Sequence, residues 1–585
     1  MNRLWKSAWR VLPATVVLGL LPAAGPAVAA PPAVSPAAER LLLAKAAPDE
    51  CFVEIGAPYP AGPPCATGQP KVNQSYVWGL AKAGETLWFG TGPNVHCLVS
   101  GAFLRMPTPQ RNDDWVCEFG QSQMVKRFPN LPGVLGDWRP PHVFAYDLAA
   151  GRLTERTADI QRASDVDARR LATTVGIRAA GAHGGVALLG GPGLQGGINL
   201  FAFDTGTGGY LGSVNLAGYN NIRKFLVAGG ALYAGVAVSG GAGGRVLRWS
   251  GTPAAPFGFA EVGNLPSQAA ELALHEGRVF VSTWPSGASP AATLAAAPPD
   301  PTIAGLWMSP SLADGEPGLT PADAGAWRQV WSAAQYEPDP VVARTYGGGA
   351  LASYGGQLFW GTMHVPLLAT VAHLTAYPPA DRAAALAAVA GTQRAIAVFR
   401  GRNLAGPRPR IELLYGQSTL PAFDPAGNSG AGAWRLAPTS YAPRFGTSGF
   451  GNPFNNYTWT MGVAGGSLYV GTMDWSYLAV QLVPLVLGQL GVPAGGAALG
   501  RAWRPELLTP RFFGADLWAF PRAGKPAAAV ATAGVGNYLN YGIRTMVPAG
   551  STLYLGMANP MNLRTDPTDR VPEGGWELIR LTARS

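Results

Sequence analysis

The chain has 585 residues, 13% of them charged, with 43 Lys and Arg against 34 Asp and Glu for a formal charge of +9. That excess is spread without a Lys/Arg-rich block, which sets nucleic acid aside as a partner. The 78 Gly and 53 Pro suit many tight turns and argue against a helical fold.

The first 30 residues read as an export signal. Arg3, Lys6 and Arg10 make a basic start, Val11 to Leu21 is apolar, and Ala27-Val28-Ala29 offers a small-residue cleavage site. The apolar run is too short to span a bilayer, and no later run reads as a membrane helix. The mature protein is therefore expected to be secreted, extracellular or periplasmic. An Ala/Pro-rich stretch, 31–47, is expected to be a flexible leader. Cys51, Cys65, Cys97 and Cys117 follow; in an exported chain an even count favours disulfides over metal or redox work. Three pairings are possible, and Cys51–Cys65 with Cys97–Cys117 is preferred because each closes a short local loop.

From residue 48 onward one unit recurs seven times. The clearest copies are Gly84-Glu-Thr-Leu-Trp-Phe-Gly90-Thr, Gly229-Gly-Ala-Leu-Tyr-Ala-Gly235-Val, Gly355-Gly-Gln-Leu-Phe-Trp-Gly361-Thr, Gly465-Gly-Ser-Leu-Tyr-Val-Gly471-Thr and Gly550-Ser-Thr-Leu-Tyr-Leu-Gly556-Met. Weaker copies end at Gly190 and Ser282. Each anchor follows a run of small and apolar residues and a Gly-containing turn, and precedes a third strand such as Val143–Asp147, Leu200–Asp204 or Leu517–Phe520. A more polar fourth strand follows most of these, as in Trp327–Trp331 and Arg410–Tyr415. Four antiparallel strands repeated seven times predict an all-β, seven-bladed β-propeller over 48–585, closure of the ring removing the exposed sheet edges. The last unit has no room for a fourth strand, so the segment around Phe52–Ile55 is expected to supply it. Inserts at 92–141, 363–393 and 473–513 add material to one face; one contains a helix within Asp381–Ala390, another an apolar lid at Tyr477–Leu487. The chain resembles the broad superfamily of repeat propellers with Gly-Gly-x-Leu-Tyr-x-Gly-Thr blades. The resemblance implies fold only, so no functional residue is carried over.

Twelve residues before each anchor lie Trp78, Arg178, Arg223, Ala270, Gly349, Trp459 and Arg544, equivalent positions expected to ring the channel. Asn220, Asn221, Asn455, Asn456, Tyr457, Asn540, Tyr541 and Asn559 belong to the same rim. Arginine pairs bidentately with carboxylate or phosphate, and Trp and Tyr give flat apolar faces, so this rim suits an acidic glycan, a small anion or a protein partner. Three residues after successive anchors come His364, Asp474 and Asn559; His364 beside Asp474 is the minimal arrangement for a general base with an orienting carboxylate. The alternative function is therefore a polysaccharide-directed lyase or hydrolase using His364 or Tyr541 to move a proton. With 6 His and no nucleophile motif, neither a metal nor a cofactor is expected.

Overall fold

The structure, a computed structural model, describes residues 38–52, 65, 68–102, 109–119, 129–130, 133–135, 137–285, 300–312, 318–480, 513–564 and 574–583. It is mostly β, with short strands paired antiparallel. The first four-stranded unit, sheet I, comprises Gln74–Ala83, Thr86–Pro93, Val143–Asp147 and Arg152–Glu155. Sheet II runs Ala179–His183, Val186–Pro192, Ile198–Asp204 and Tyr210–Leu216. Sheet III is Tyr219–Ala228, Ala231–Val238, Gly244–Trp249 and Phe259–Leu265, and sheet IV is Gln268–His275, Arg278–Trp284, Gly305–Ser311 and Arg328–Ser332. Sheet V is Tyr346–Tyr354, Gln357–His364, Val398–Arg402 and Arg410–Tyr415. Sheet VI is Asn455–Ala464, Ser467–Asp474, Leu517–Phe520 and Ala528–Ala531. Sheet VII begins Gly542–Ala549, Thr552–Ala558 and Glu577–Ala583.

The fourth strand of sheet VII is Ala38–Lys45, antiparallel to Glu577–Ala583 from Ala38↔Ala583 to Lys45↔Glu577. This corrects two expectations. Part of the supposed leader is a strand, because Leu43 and Ala44 pack onto the sheet and Arg40 reaches Glu577 at 3.5 Å. The Phe52 segment pairs elsewhere: Glu50–Phe52 lies against Gln69–Lys71 and is tied by the Cys51–Cys65 disulfide. Residues 1–37 and 53–55 lie outside the described residues. The second disulfide joins Cys97 to Cys117, so both pairs are the local ones.

The repeat has a packing cause. A side chain on Gly90 would strike Ile177 at the start of sheet II, and one on Gly235 would come within 2.7 Å of Leu272 in sheet IV. The same holds for Gly361 against Thr458 of sheet VI, Gly471 against Ile543 of sheet VII, and Gly556 against Val77 of sheet I. In these five sheets the anchor glycine is where the next sheet is seated; in sheet II a side chain on Gly190 would instead strike Leu200 and Asn199 of its own sheet, and the sheet IV anchor is Ser282. The residue after the anchor, usually Thr, fixes the start of the third strand. Hydroxyls of Thr91, Thr283, Thr362 and Thr472 accept the backbone N–H of His142, Gly305, Ala397 and Asp516. Buried apolar clusters fill the gaps between successive sheets. One of them joins Val77, Leu80 and Phe89 of sheet I to Tyr554 and Leu578 of sheet VII.

The inserts are short helices and hairpins. Arg382–Thr392 forms the expected helix, with the Asp381 carboxylate accepting Ala384 N–H at 2.8 Å as its N-cap. Helices Thr157–Ala163, Asp165–Ala172 and Leu368–Ala376 and the hairpin of Thr419–Asp424 with Ala433–Pro438 were not read from the sequence. Of the apolar stretch 477–487, residues 481–487 lie outside the described residues. No helix among the described residues is long and apolar enough to cross a membrane.

A buried ion network fastens the first insert to the chain start. Lys71 Nζ sits 2.5 Å from Glu118 and 3.4 Å from Asp137, while Arg139 donates to both oxygens of Glu50 at 3.0 and 3.1 Å. Burial pushes the Asp137 carboxyl up to about 6, opposed by the Lys71 and Arg139 charges. Breaking such a network strands the remaining charges. Lys71→Met is expected to lower unfolding free energy by about 3–5 kcal/mol in urea titrations at pH 8. Because the Lys71 charge holds Asp137 down, the variant's Asp137 takes up its proton at a higher pH, so the loss shrinks as pH falls toward about 6 and levels off below it, where the wild-type carboxyl is protonated too. Deleting residues through Lys45 should lower the melting temperature relative to deletion through Pro36, since only the former removes the strand on Glu577–Ala583.

Candidate functional site

Six of the seven expected ring positions share a backbone feature that the sequence does not announce. The pairing of the first strand with the second skips a residue at Val77/Gly79, Ile222/Lys224, Ala269/Glu271, Gly348/Leu351, Thr458/Thr460 and Ile543/Thr545. Trp78, Arg223, Ala270, Trp459 and Arg544 are therefore the extra residues of β-bulges, and Gly349 lies in another. A bulge takes its residue out of the in/out alternation and re-aims the side chain. Arg178, at the equivalent place in sheet II, directly precedes its strand and donates its backbone N–H to Gly190 at 2.8 Å.

Trp78, Arg178, Arg223, Trp459 and Arg544 line one cavity of ≈ 220 Å³, together with Lys82, Lys224, Phe225, Glu271 and Met546. Ala270 and Gly349 are not in its wall. Three guanidiniums lie against indole rings: Arg178 is 5.3 Å from the Trp78 ring centre, Arg544 is 5.5 Å from Trp459, and Arg223 is 4.2 Å from Trp284. Arg178 also donates to Asn221 Oδ1 at 3.1 Å, and Asn221 in turn donates to Gln268. The Nε atoms of all three arginines are buried without a hydrogen-bond partner, and no described carboxylate lies within ion-pair distance of them. Glu271, which carries the compensating field, is bonded instead to Lys224 at 3.5 Å.

The electrostatics follow from that geometry. Burial pushes Arg223 and Arg544 down to about 10, the Arg544 charge adding to the effect at Arg223, and Arg178 is lowered well below its usual range by burial and then by the Arg223 and Arg544 charges. All three remain cations at neutral pH, held together at a cost. Burial raises the Tyr457 phenol although the three guanidiniums pull it down; its ring stands 5.3 Å from Trp459 and 6.2 Å from Trp284.

The other expected site residues are not in the cavity wall. Asn456 donates to the His364 carbonyl at 3.2 Å, and Asn559 donates to Asn540 at 3.3 Å while its oxygen accepts Met561 N–H. Tyr541 is buried in an aromatic cluster with Tyr76 and Trp459. His364 and Asp474 do not form a pair. His364 Nε2 bonds the Thr362 hydroxyl at 3.0 Å and its ring packs on Tyr346, whereas Asp474 accepts from Asn452 at 2.6 Å and from Ser476 N–H at 2.7 Å. Burial lowers His364 to about 3 and raises Asp474 to about 6. A His/Asp proton relay is thus absent from these two residues. Sequence reasoning missed Trp284, two residues after the Ser282 anchor, and Glu271, one residue beyond the ring position Ala270; both offsets were legible.

The three His, Cys or Asp ligand atoms that come together, from Cys97, Cys117 and Asp137, include both sulfurs of a disulfide, so this group is unsuited to a metal. No family model matches the chain, and no characterised protein matches it in sequence. Among solved structures it is similar to the polysaccharide lyase Uly1, with 8% identity, a TM-score of 0.40, and 94% of this chain and 99% of that one covered. It is also similar to an exo-β-1,3-galactanase from Phanerochaete chrysosporium, with 11% identity, a TM-score of 0.27 and coverages of 72% and 81%. A GH43_1 enzyme from Xanthomonas citri follows at 10% identity and a TM-score of 0.25, covering 51% of this chain and 84% of that one.

Because His364 holds its proton affinity so low, its ring resonances should not titrate between pH 5 and 8 in NMR spectra of the folded protein. The unfolded chain does take up that proton below about 6.5, so His364 contributes stability that is lost as pH falls from about 6.5 toward 3. A midpoint near 7 would restore it as a candidate base.

Proposed function

We propose that the protein is an exported seven-bladed β-propeller, closed by the strand Ala38–Lys45, whose central cavity binds the carboxylate-bearing sugar of an acidic glycan. The observation that carries this is the meeting of three buried guanidiniums, from sheets II, III and VII, without a carboxylate partner. A buried cation is costly unless paired, and a ligand carboxylate supplies the missing charge with the bidentate geometry arginine favours. Trp78 and Trp459 in the same wall offer flat apolar faces to the ring that bears the carboxylate. Ring closure is supported by the Gly556–Val77 contact, the pairing of Ala558 with Tyr76, and the apolar cluster shared by sheets VII and I.

One observation favours a second reading, a glycan-directed lyase or hydrolase. Tyr457, outside the cavity wall, packs its ring on Trp459 and Trp284, the indoles against which Arg544 and Arg223 lie. In a lyase, arginine would neutralise the uronate carboxylate and so acidify the adjacent C–H; as that proton leaves to water the neighbouring bond to the glycosidic oxygen breaks, a C=C bond forms, and Tyr457, whose phenol holds its proton, would donate it to the departing oxygen. Tyr457 replaces His364 and Tyr541 in that role.

Calorimetric titration of the mature protein with uronates tests the site. Arg178→Ala and Arg544→Ala are each expected to weaken binding roughly 10- to 100-fold, the loss of one charged hydrogen bond or pair. Equal affinities for wild type and both variants would reject the cavity. Appearance of unsaturated or newly reducing ends in the same mixtures, abolished by Tyr457→Phe, selects the enzyme over the binder.

A further inference from the structure

We infer that the cavity is filled end-on, from the face carrying the turns between first and second strands, so that it takes a terminal acidic sugar or free sugar acid and not a mid-chain unit. This rests on the anion-binding reading and adds the route and the ligand class.

The wall residues form runs along four first strands, from Trp78 to Lys82, Arg178 to Ala182, Arg223 to Val227, and Arg544 to Pro548. The Arg/Trp end of these runs is largely buried, Arg223 and Arg544 being 5% exposed. The far end reaches the turns, where Val227 is 49% exposed. Pro548 is exposed and Lys82 and Ala182 half-buried there. Five residues of strand give a depth of about 13 Å.

The opposite side of the Arg/Trp ring is occupied. Tyr76, Trp115, Met473, Trp475, Tyr541 and the Cys97–Cys117 disulfide pack there as one buried cluster with Trp78 and Trp459. None of the loop-face asparagines expected at the rim belongs to the cavity wall. Sideways approach is closed as well, since first strands of neighbouring sheets touch: a side chain on Gly79 would lie 2.6 Å from the Ala179 backbone. The volume of ≈ 220 Å³ falls below the roughly 300–1,000 Å³ of pockets for drug-sized ligands. A polymer cannot thread such a space; a chain end can enter it.

The test compares galacturonic acid with polygalacturonate cut to different lengths at constant total uronate, using the mature protein and three variants. Val227→Trp and Ala182→Phe narrow the turn-face mouth, and Asn220→Trp adds bulk on the loop face; thermal unfolding and circular dichroism check that each is folded. The expected result is binding by the monomer, polymer binding that rises with the number of chain ends, at least tenfold loss in both mouth variants, and less than twofold change in Asn220→Trp. Polymer binding proportional to total uronate, or full affinity in the folded mouth variants, overturns the inference while leaving the arginine site standing. No uronate binding by wild type overturns both.

Discussion

The absence of a side chain at the anchor position of five of the seven sheets is the constraint on which the molecule depends. At Gly90, Gly361, Gly471 and Gly556 the space that a Cβ would occupy is taken by the first strand of the following sheet. Sheets seated this closely present their first strands side by side, and six of the seven, all but sheet II, bulge at or beside the position twelve residues before the anchor. A constant offset in sequence thereby becomes a shared height in space. That is how Arg178, Arg223 and Arg544, from sheets II, III and VII, come to one cavity.

Much of the fold was legible for the same reason. The Gly-x-x-Leu-aromatic-x-Gly-Thr string states turn, strand and inter-sheet contact at once, and counting back from it located five residues of the cavity wall. Offsets give height, however, and not which side of a ring is open. The aromatic cluster over Trp78 and Trp459 is assembled from inserts with no period, among them Trp115 and Trp475, so the cavity's opening on the turn face could not be read. Ala38–Lys45 was hidden because an Ala/Pro-rich neighbourhood masks a short strand whose partner lies about 500 residues away. His364 and Asp474 share an offset on adjacent sheets, yet each satisfies its polar atoms locally, His364 through Thr362 of its own strand and Asp474 through Asn452 and Ser476 beside the ends of its sheet. Equivalence in the repeat does not bring side chains into contact.

The chain buries cations in two contrasting ways. Lys71 and Arg139 are met by Glu50, Glu118 and Asp137, a self-sufficient network that fastens the insert and asks for nothing from outside. Arg178, Arg223 and Arg544 have indole faces and one amide oxygen, and repel one another. The first arrangement is architecture. The second sets three cations against the field of Glu271 alone, itself bonded to Lys224, in a space large enough for a small molecule, and an anion is the complement that its physics requires.

The most direct measurement is a crystal structure of the mature protein soaked with a uronic acid. The carboxylate is expected between the guanidiniums of Arg178, Arg223 and Arg544, with the sugar ring against Trp78 or Trp459 and the rest of the molecule pointing toward Val227 and Pro548. A carboxylate bound on the loop face beside Asn220 and Asn559, or arginines paired with carboxylates of the chain itself, would contradict a charge-driven site in this cavity.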